Sequence, residues 1–104
     1  MILEHAKEYK WTYHAHAKMR QYGLSEQKVR SVIHSPKRIE KGIAPDTVAF
    51  LKSAGSAKHP HEIWVMVVEE KNERRVISAW RYPGVTKPGE PLPREILSEI
   101  DTIL

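Results

Sequence analysis

Ile63-Trp64-Val65-Met66-Val67-Val68, then Glu70-Lys71-Asn72-Glu73, then Arg75-Val76-Ile77-Ser78-Ala79-Trp80-Arg81-Tyr82 is the stretch that decides the fold. The first run is apolar at odd and even positions alike, which marks a central strand covered on both faces. The four polar residues make a short turn, and the second run is a strong strand of its own. Two such strands across a short polar connection pair antiparallel, and this hairpin anchors the expected sheet.

Two further strands precede it. Thr47-Val48-Ala49-Phe50-Leu51 is bounded by Pro45-Asp46 and by Ser53-Ala54-Gly55-Ser56, where a loop running to His59-Pro60-His61 is expected to begin. Arg38-Ile39-Glu40-Lys41 alternates weakly, like a strand with one wet face.

Upstream of these strands the periodicity turns helical. Thr12 is a suitable N-cap and Gly23 a natural terminator, and between them Ala15, Met19 and Tyr22 recur at i, i+4, i+7. Ser25 caps a second helix whose apolar face is Val29, Val32 and Ile33, with Leu24 and Val29 placed as a hydrophobic staple. Ser35-Pro36 ends it, because a residue before proline avoids the α region. At the other end of the chain, Pro83, Pro88, Pro91 and Pro93 stiffen residues 83–93. A last one-sided stripe follows: Ile96, Leu97, Ile100, Ile103 and Leu104. The expected fold is α+β, with two N-terminal helices packed on a four-stranded antiparallel sheet plus a short C-terminal helix. It forms one domain over residues 1–104, with a core at about 12–82, the proline-rich connection at 83–93 and the helix at 93–104.

A chain of 104 residues, 40% apolar and 29% charged, is long enough for one core and ordinary for a folded domain. It has no cysteine, which excludes a disulfide framework, a thiolate zinc site and a cysteine nucleophile. The opening residues are too polar for a signal peptide and no apolar run reaches membrane-spanning length, so a cytoplasmic protein without a membrane role is expected. Charge is unevenly placed. Residues 1–42 carry nine Lys or Arg against four acids, whereas residues 43–104 carry eight against nine. A basic N-terminal half suits a polyanionic partner, nucleic acid first, and equally a well-solvated surface.

Chemistry concentrates in Tyr13-His14-Ala15-His16-Ala17-Lys18-Met19-Arg20. On a helix His14 and His16 diverge by about 200°, so they do not chelate one metal, and no metal or cofactor is expected. The pairs that share a face are His14 with Lys18 and His16 with Arg20. At the second helical position the macrodipole disfavours an imidazolium, leaving His14 a neutral proton acceptor. Lys18 one turn on could stabilise developing negative charge. The same spacing also suits a histidine that merely packs at the helix start. Trp80-Arg81-Tyr82 sets Arg81 on the face opposite two aromatics. There it could grip a phosphate while Tyr82 stacks on a base, or be a solvated arginine beside two core residues. Lys37, Arg38 and Lys41 are usable as a phosphate track, with Arg20 as a further contact. His59 and His61 read as structural.

The run His14-Ala15-x-x-Lys18-Met19, then Tyr22-Gly23-Leu24-Ser25, Val29, Pro36 and finally Val76-Ile77-Ser78-Ala79-Trp80-Arg81, resembles a domain-of-unknown-function family. Its members open on an H-A-x-x-R-M helix followed by R-G-I-S. Lys18 and Tyr22 stand where that pattern usually has arginine. The family is grouped with RelE-like toxins, within the barnase, EndoU, colicin and RelE-like ribonucleases. The resemblance covers about residues 12–82. It implies helices on one face of a four-stranded antiparallel sheet, RNA across the opposite concave face, and cleavage without metal by attack of the 2′-hydroxyl on phosphorus. Carried over by position, His14 would be the acid or base, with Lys18 and Arg81 stabilising charge. The implied partners are RNA, including ribosome-bound message, and a small acidic antitoxin. The rival expectations are a non-catalytic RNA- or protein-binding module and a structural dimer through the C-terminal helix.

Overall fold

The computed structural model describes residues 7–42 and 46–89. Glu8-Tyr9-Lys10-Trp11 alternates outward charge with half-buried rings and forms β1 (Glu8–Trp11). Thr12 turns the chain into α1 (Tyr13–Tyr22), its hydroxyl accepting the Ala15 N–H at 3.0 Å. Gly23 ends that helix at φ 68°, the left-handed conformation that glycine adopts without penalty. Ser25 caps α2 (Glu26–His34) in the same way as Thr12, through the Lys28 N–H. Then come β2 (Arg38–Lys41), β3 (Thr47–Gly55), β4 (Pro60–Glu69) and β5 (Glu73–Pro83).

The expected four-stranded antiparallel sheet is corrected to a five-stranded mixed sheet, ordered β1-β5-β4-β3-β2. β1 runs parallel to β5, pairing Glu8–Trp11 with Glu73–Val76, and the other neighbours are antiparallel. Parallel partners must be joined by a long crossover, here both helices and three strands, so no local turn announces β1 in the sequence. The C-terminal helix of the expected fold lies outside the described residues.

The expected loop beginning at Ser53 is also corrected, since β3 stays paired with β4 as far as Gly55 opposite Pro60. Gly55 sits at φ 79°, and a Cβ there would lie 2.3 Å from the His59 carbonyl oxygen and 2.7 Å from His61 Nδ1. Conformation and space both demand glycine at this corner.

The β4–β5 hairpin turns as expected, with the Glu70 N–H bonded to the Glu73 carbonyl at 2.9 Å. Its register slips once: Met66 faces Ser78 and Val67 faces Val76, leaving Ile77 as an extra residue in β5. At this bulge Thr12 meets the sheet. Its hydroxyl lies 3.0 Å from the Val76 carbonyl oxygen and 3.3 Å from that of Ile77, and its N–H donates to Val76 at 3.3 Å. One side chain thereby starts α1 and fixes it to β5.

The sheet has two covered faces. On the first, Ala15, Met19, Leu24, Val29, Val32 and Ile33 of the helices meet Phe50, Ile63, Val65, Val67, Val76 and Ala79. On the second, Ala49, Leu51, Trp64, Met66, Ile77 and Trp80 form a separate cluster. Trp64 and Trp80 stack there at 5.8 Å between centroids, a pairing worth about 0.5–1.5 kcal/mol beyond area burial. The continuous apolar run of β4 is explained by this double coverage. Residues 84–89 continue onto the second face. Thr86 is buried and bonded to the inaccessible Glu62 through its N–H at 3.2 Å and its hydroxyl at 2.7 Å.

Thr12→Ala removes a helix cap and its bonds to β5 together. It should cost about 1–2 kcal/mol in unfolding free energy, read by urea denaturation followed by circular dichroism. A loss below a few tenths of a kcal/mol would rule out the anchoring role.

Candidate functional site

His14 lies in the first turn of α1, half-buried, with its Nε2 atom inaccessible and without a hydrogen-bond partner among the described residues. Burial first, and then the positive charge of Lys18, hold its pKa below the ordinary histidine value. The ring is therefore neutral at pH 7, as expected, but through burial and a neighbouring cation. Lys18 is itself 8% exposed and its pKa is lowered by burial. Its ammonium donates to Gln21 Oε1 at 3.0 Å and stands 5.9 Å from the Tyr22 ring centre. His14 and Lys18 thus share one flank of the helix, as their spacing requires.

Arg81 is held at the C-terminal end of the same helix. It points toward the helices, opposite Trp80 and Tyr82 as expected, but its Nε donates to the Tyr22 carbonyl at 2.8 Å. Its Nη1 lies 2.9 Å from His61 Nε2. A guanidinium only donates, so that ring nitrogen is the acceptor in this contact. Arg81 therefore closes the C-terminal turn of α1. His14 and Tyr22 are eight residues apart on one helix, about 12 Å of rise, so the two ends are far from hydrogen-bonding reach. The described contacts hold Arg81 at the Tyr22 end of α1, where the Lys18 ammonium also lies over the Tyr22 ring, and place His14 in the first turn.

The expected nucleic-acid residues also scatter. Arg20 is exposed on α1. Lys37, Arg38 and Lys41 lie at or on β2, three strand spacings or about 14 Å from β5. Arg38 and Lys41 face opposite sides of that edge, since Arg38 pairs with Leu51 and Lys41 with Val48. The Arg38 guanidinium is engaged by Glu40 at 2.7 Å, by the Thr86 carbonyl at 3.0 Å and by the Thr86 hydroxyl at 2.9 Å. Lys37 donates to Ser53 Oγ at 3.1 Å, and Lys41 is exposed. Tyr82 is packed against the second-face cluster. Trp80 is 2% exposed and Tyr82 is half-buried, so both aromatics read as core, while the arginine between them is bonded to Tyr22 and His61 rather than merely solvated.

A different cluster escapes sequence reasoning. Tyr9 stacks on Trp11 at 5.7 Å and Trp11 on His16 at 5.8 Å, with interplanar angles of 20° and 12°. The exposed Arg30 of α2 lays its guanidinium 4.3 Å from the Tyr9 ring centre and 5.6 Å from that of Trp11. Arg74 approaches Tyr9 at 5.9 Å and is held by Glu69, through its Nη2 at 3.0 Å among other contacts. His16 reaches Glu26 at 3.0 Å. The sequence signal is present in the polar–aromatic alternation of Glu8-Tyr9-Lys10-Trp11. The partner in α2, nineteen and more residues away, leaves none.

Compared with family models, with curated proteins and with solved structures, the chain gives no match. Among the described residues no helix is long and apolar enough to cross a membrane.

The lowered pKa of His14 has a sign that can be measured. The unfolded chain takes up a proton near pH 6.5 while the folded ring resists it. This part of the stability is present above pH 6.5 and is lost as pH falls through the folded value. Stability should fall from pH 7.5 to 5.5, and His14→Gln should flatten that fall. An NMR titration of the His14 ring showing a midpoint at or above 6.5 would contradict it.

Proposed function

We propose that this domain binds RNA without cleaving it, through the basic and aromatic strip formed by β1, α1 and α2. The observation that carries the reading is the Tyr9-Trp11-His16 stack with Arg30 laid over it, in the half of the chain where cations outnumber acids. The rings are half-buried, so part of each stays open to solvent, and the exposed Arg30 and Arg20 carry positive charge on the helices that pack beside them. Such a surface suits a single-stranded, polyanionic ligand: cations follow phosphates, and aromatic and guanidinium planes accept bases without strict sequence demands.

The second face offers less. Its centre is apolar and inaccessible, residues 84–89 cross it, and the Arg38 guanidinium at its edge is engaged by Glu40 and Thr86, which gives the concave RNA surface implied by the toxin resemblance less support. One observation favours the toxin-like reading. His14 is a neutral imidazole beside a lysine of lowered pKa, a pairing suited to proton transfer. Under that reading His14 and Lys18 act on RNA without metal, Arg81 is a positioning residue, and ribosome-bound message and an acidic antitoxin are the partners to seek. A cytoplasmic setting suits both readings.

Binding to single-stranded RNA should weaken with salt. Arg30→Gln should lower affinity about 3- to 10-fold and flatten the log–log salt dependence by about 0.7 for each phosphate left without its cation. Fluorescence anisotropy over about 50–200 mM salt measures both, and affinity unchanged in Arg30→Gln would end the proposal. Incubating the same RNA in EDTA separates the readings. Intact RNA is expected, while cleavage that disappears in His14→Ala would move the function to the toxin-like nuclease.

A further inference from the structure

β1 is one edge of the sheet, and among the described residues no strand lies beyond it. The N–H groups of Glu8 and Thr12 donate to the Asn72 and Val76 carbonyls at 3.0 and 3.3 Å. Main-chain groups alternate in direction along a strand, so those of Tyr9 and Trp11 point away from β5. The side chains add a second feature. Glu8 and Lys10 are exposed on the face opposite the two rings. Each lies beside a like charge on β5, since Glu8 pairs with Glu73 and Lys10 with Arg75. The open side of Glu8 therefore favours a cation, and that of Lys10 an anion.

We propose that β1 pairs antiparallel with β1 of a second copy of this chain, about a two-fold axis at Tyr9. The charge pattern selects both the partner and the register. With Tyr9 facing the partner's Tyr9, Glu8 meets the partner's Lys10 and Lys10 meets the partner's Glu8. Centring the axis on Glu8 or Lys10 instead sets like charges face to face. At the chosen register Tyr9 and the partner's Tyr9 exchange both main-chain bonds, and Trp11 bonds with the partner's Lys7. The other edge, β2, lacks this match. Centred on Ile39 it would set Lys37 against the partner's Lys41 twice, and its Arg38 and Glu40 are already tied to Thr86 and Gly89. Space permits the β1 pairing. α1 packs chiefly on β5 and α2 on β3 and β4, so the two copies of α1 stand three strand spacings, or about 14 Å, apart. Helices pack at about 8–10 Å, so the copies do not collide. The two Tyr9–Trp11 stacks become one run of four rings across the axis. This pairing stands on the protein alone and does not depend on those rings binding RNA.

Sedimentation of the full chain without RNA should show a monomer–dimer equilibrium, with dimer dominant at millimolar concentration. Glu8→Lys and Lys10→Glu each set like charges across the axis and should weaken the dimer about tenfold. Both variants should keep the fold, because each new charge lies beside an opposite one, Glu73 or Arg75, and circular dichroism checks it. Mixing the two should restore association as a mixed dimer, since every lysine of one strand then faces a glutamate of the other. A chain that stays monomeric at millimolar concentration overturns the proposal. So does a dimer that neither variant weakens, which would put the interface elsewhere. RNA binding by a strict monomer would end this inference while leaving the proposed function in place.

Discussion

The hydroxyl of Thr12 is the small contact on which the placement of everything N-terminal depends. It accepts the Ala15 N–H, which starts α1, and it reaches the carbonyls of Val76 and Ile77, where β5 carries one residue too many. A cap alone fixes where a helix begins but not where it lies. A cap bonded to a strand fixes both. From that point α1 runs along β5 until Arg81 receives its last turn at Tyr22. The helix is pinned at both ends to one strand, and His14 and Arg81 are the residues beside the two pins.

Charge is distributed to match this frame. Buried or half-buried polar groups at the sheet's ends work in closed sets. Burial pushes the Glu69 carboxyl up, but hydrogen bonds from Arg74 and Lys7 outweigh it and leave the pKa lowered. On the second face, Glu40 and Arg38 tie β2 to residues 86–89, and the Gly89 N–H is the foremost cause of the lowered Glu40 pKa. Arginines in these sets serve the architecture. Arg30 differs in lying exposed over two aromatic rings. That contrast, more than net charge, is what the proposed RNA binding by the β1–α1–α2 strip rests on.

Much of the architecture could be read directly. The caps at Thr12 and Ser25, the stop at Gly23, the apolar stripes of both helices and the β4–β5 hairpin all arise from neighbours a few residues apart, where local stereochemistry decides. β1 was missed for the opposite reason. Four residues carry little pattern, and a parallel partner sixty-five positions away leaves no turn as a signature. β3 was cut short at Ser53 because small and polar residues imitate a loop, whereas pairing with β4 extends the strand to Gly55.

The site divides along the same line. Sequence by itself determined which faces of α1 carry His14 with Lys18 and His16 with Arg20, because helical geometry is independent of the rest of the molecule. It also determined that Arg81 opposes Trp80 and Tyr82, through the two-residue period of a strand. Only tertiary structure decided what those groups meet: a buried flank for His14, a helix terminus for Arg81, a threonine for Arg38 and a stack of rings for Arg30. Periodicity sets the direction of a side chain, but its chemical role depends on which distant segment is packed against it, and that choice belongs to the whole chain's burial of apolar surface.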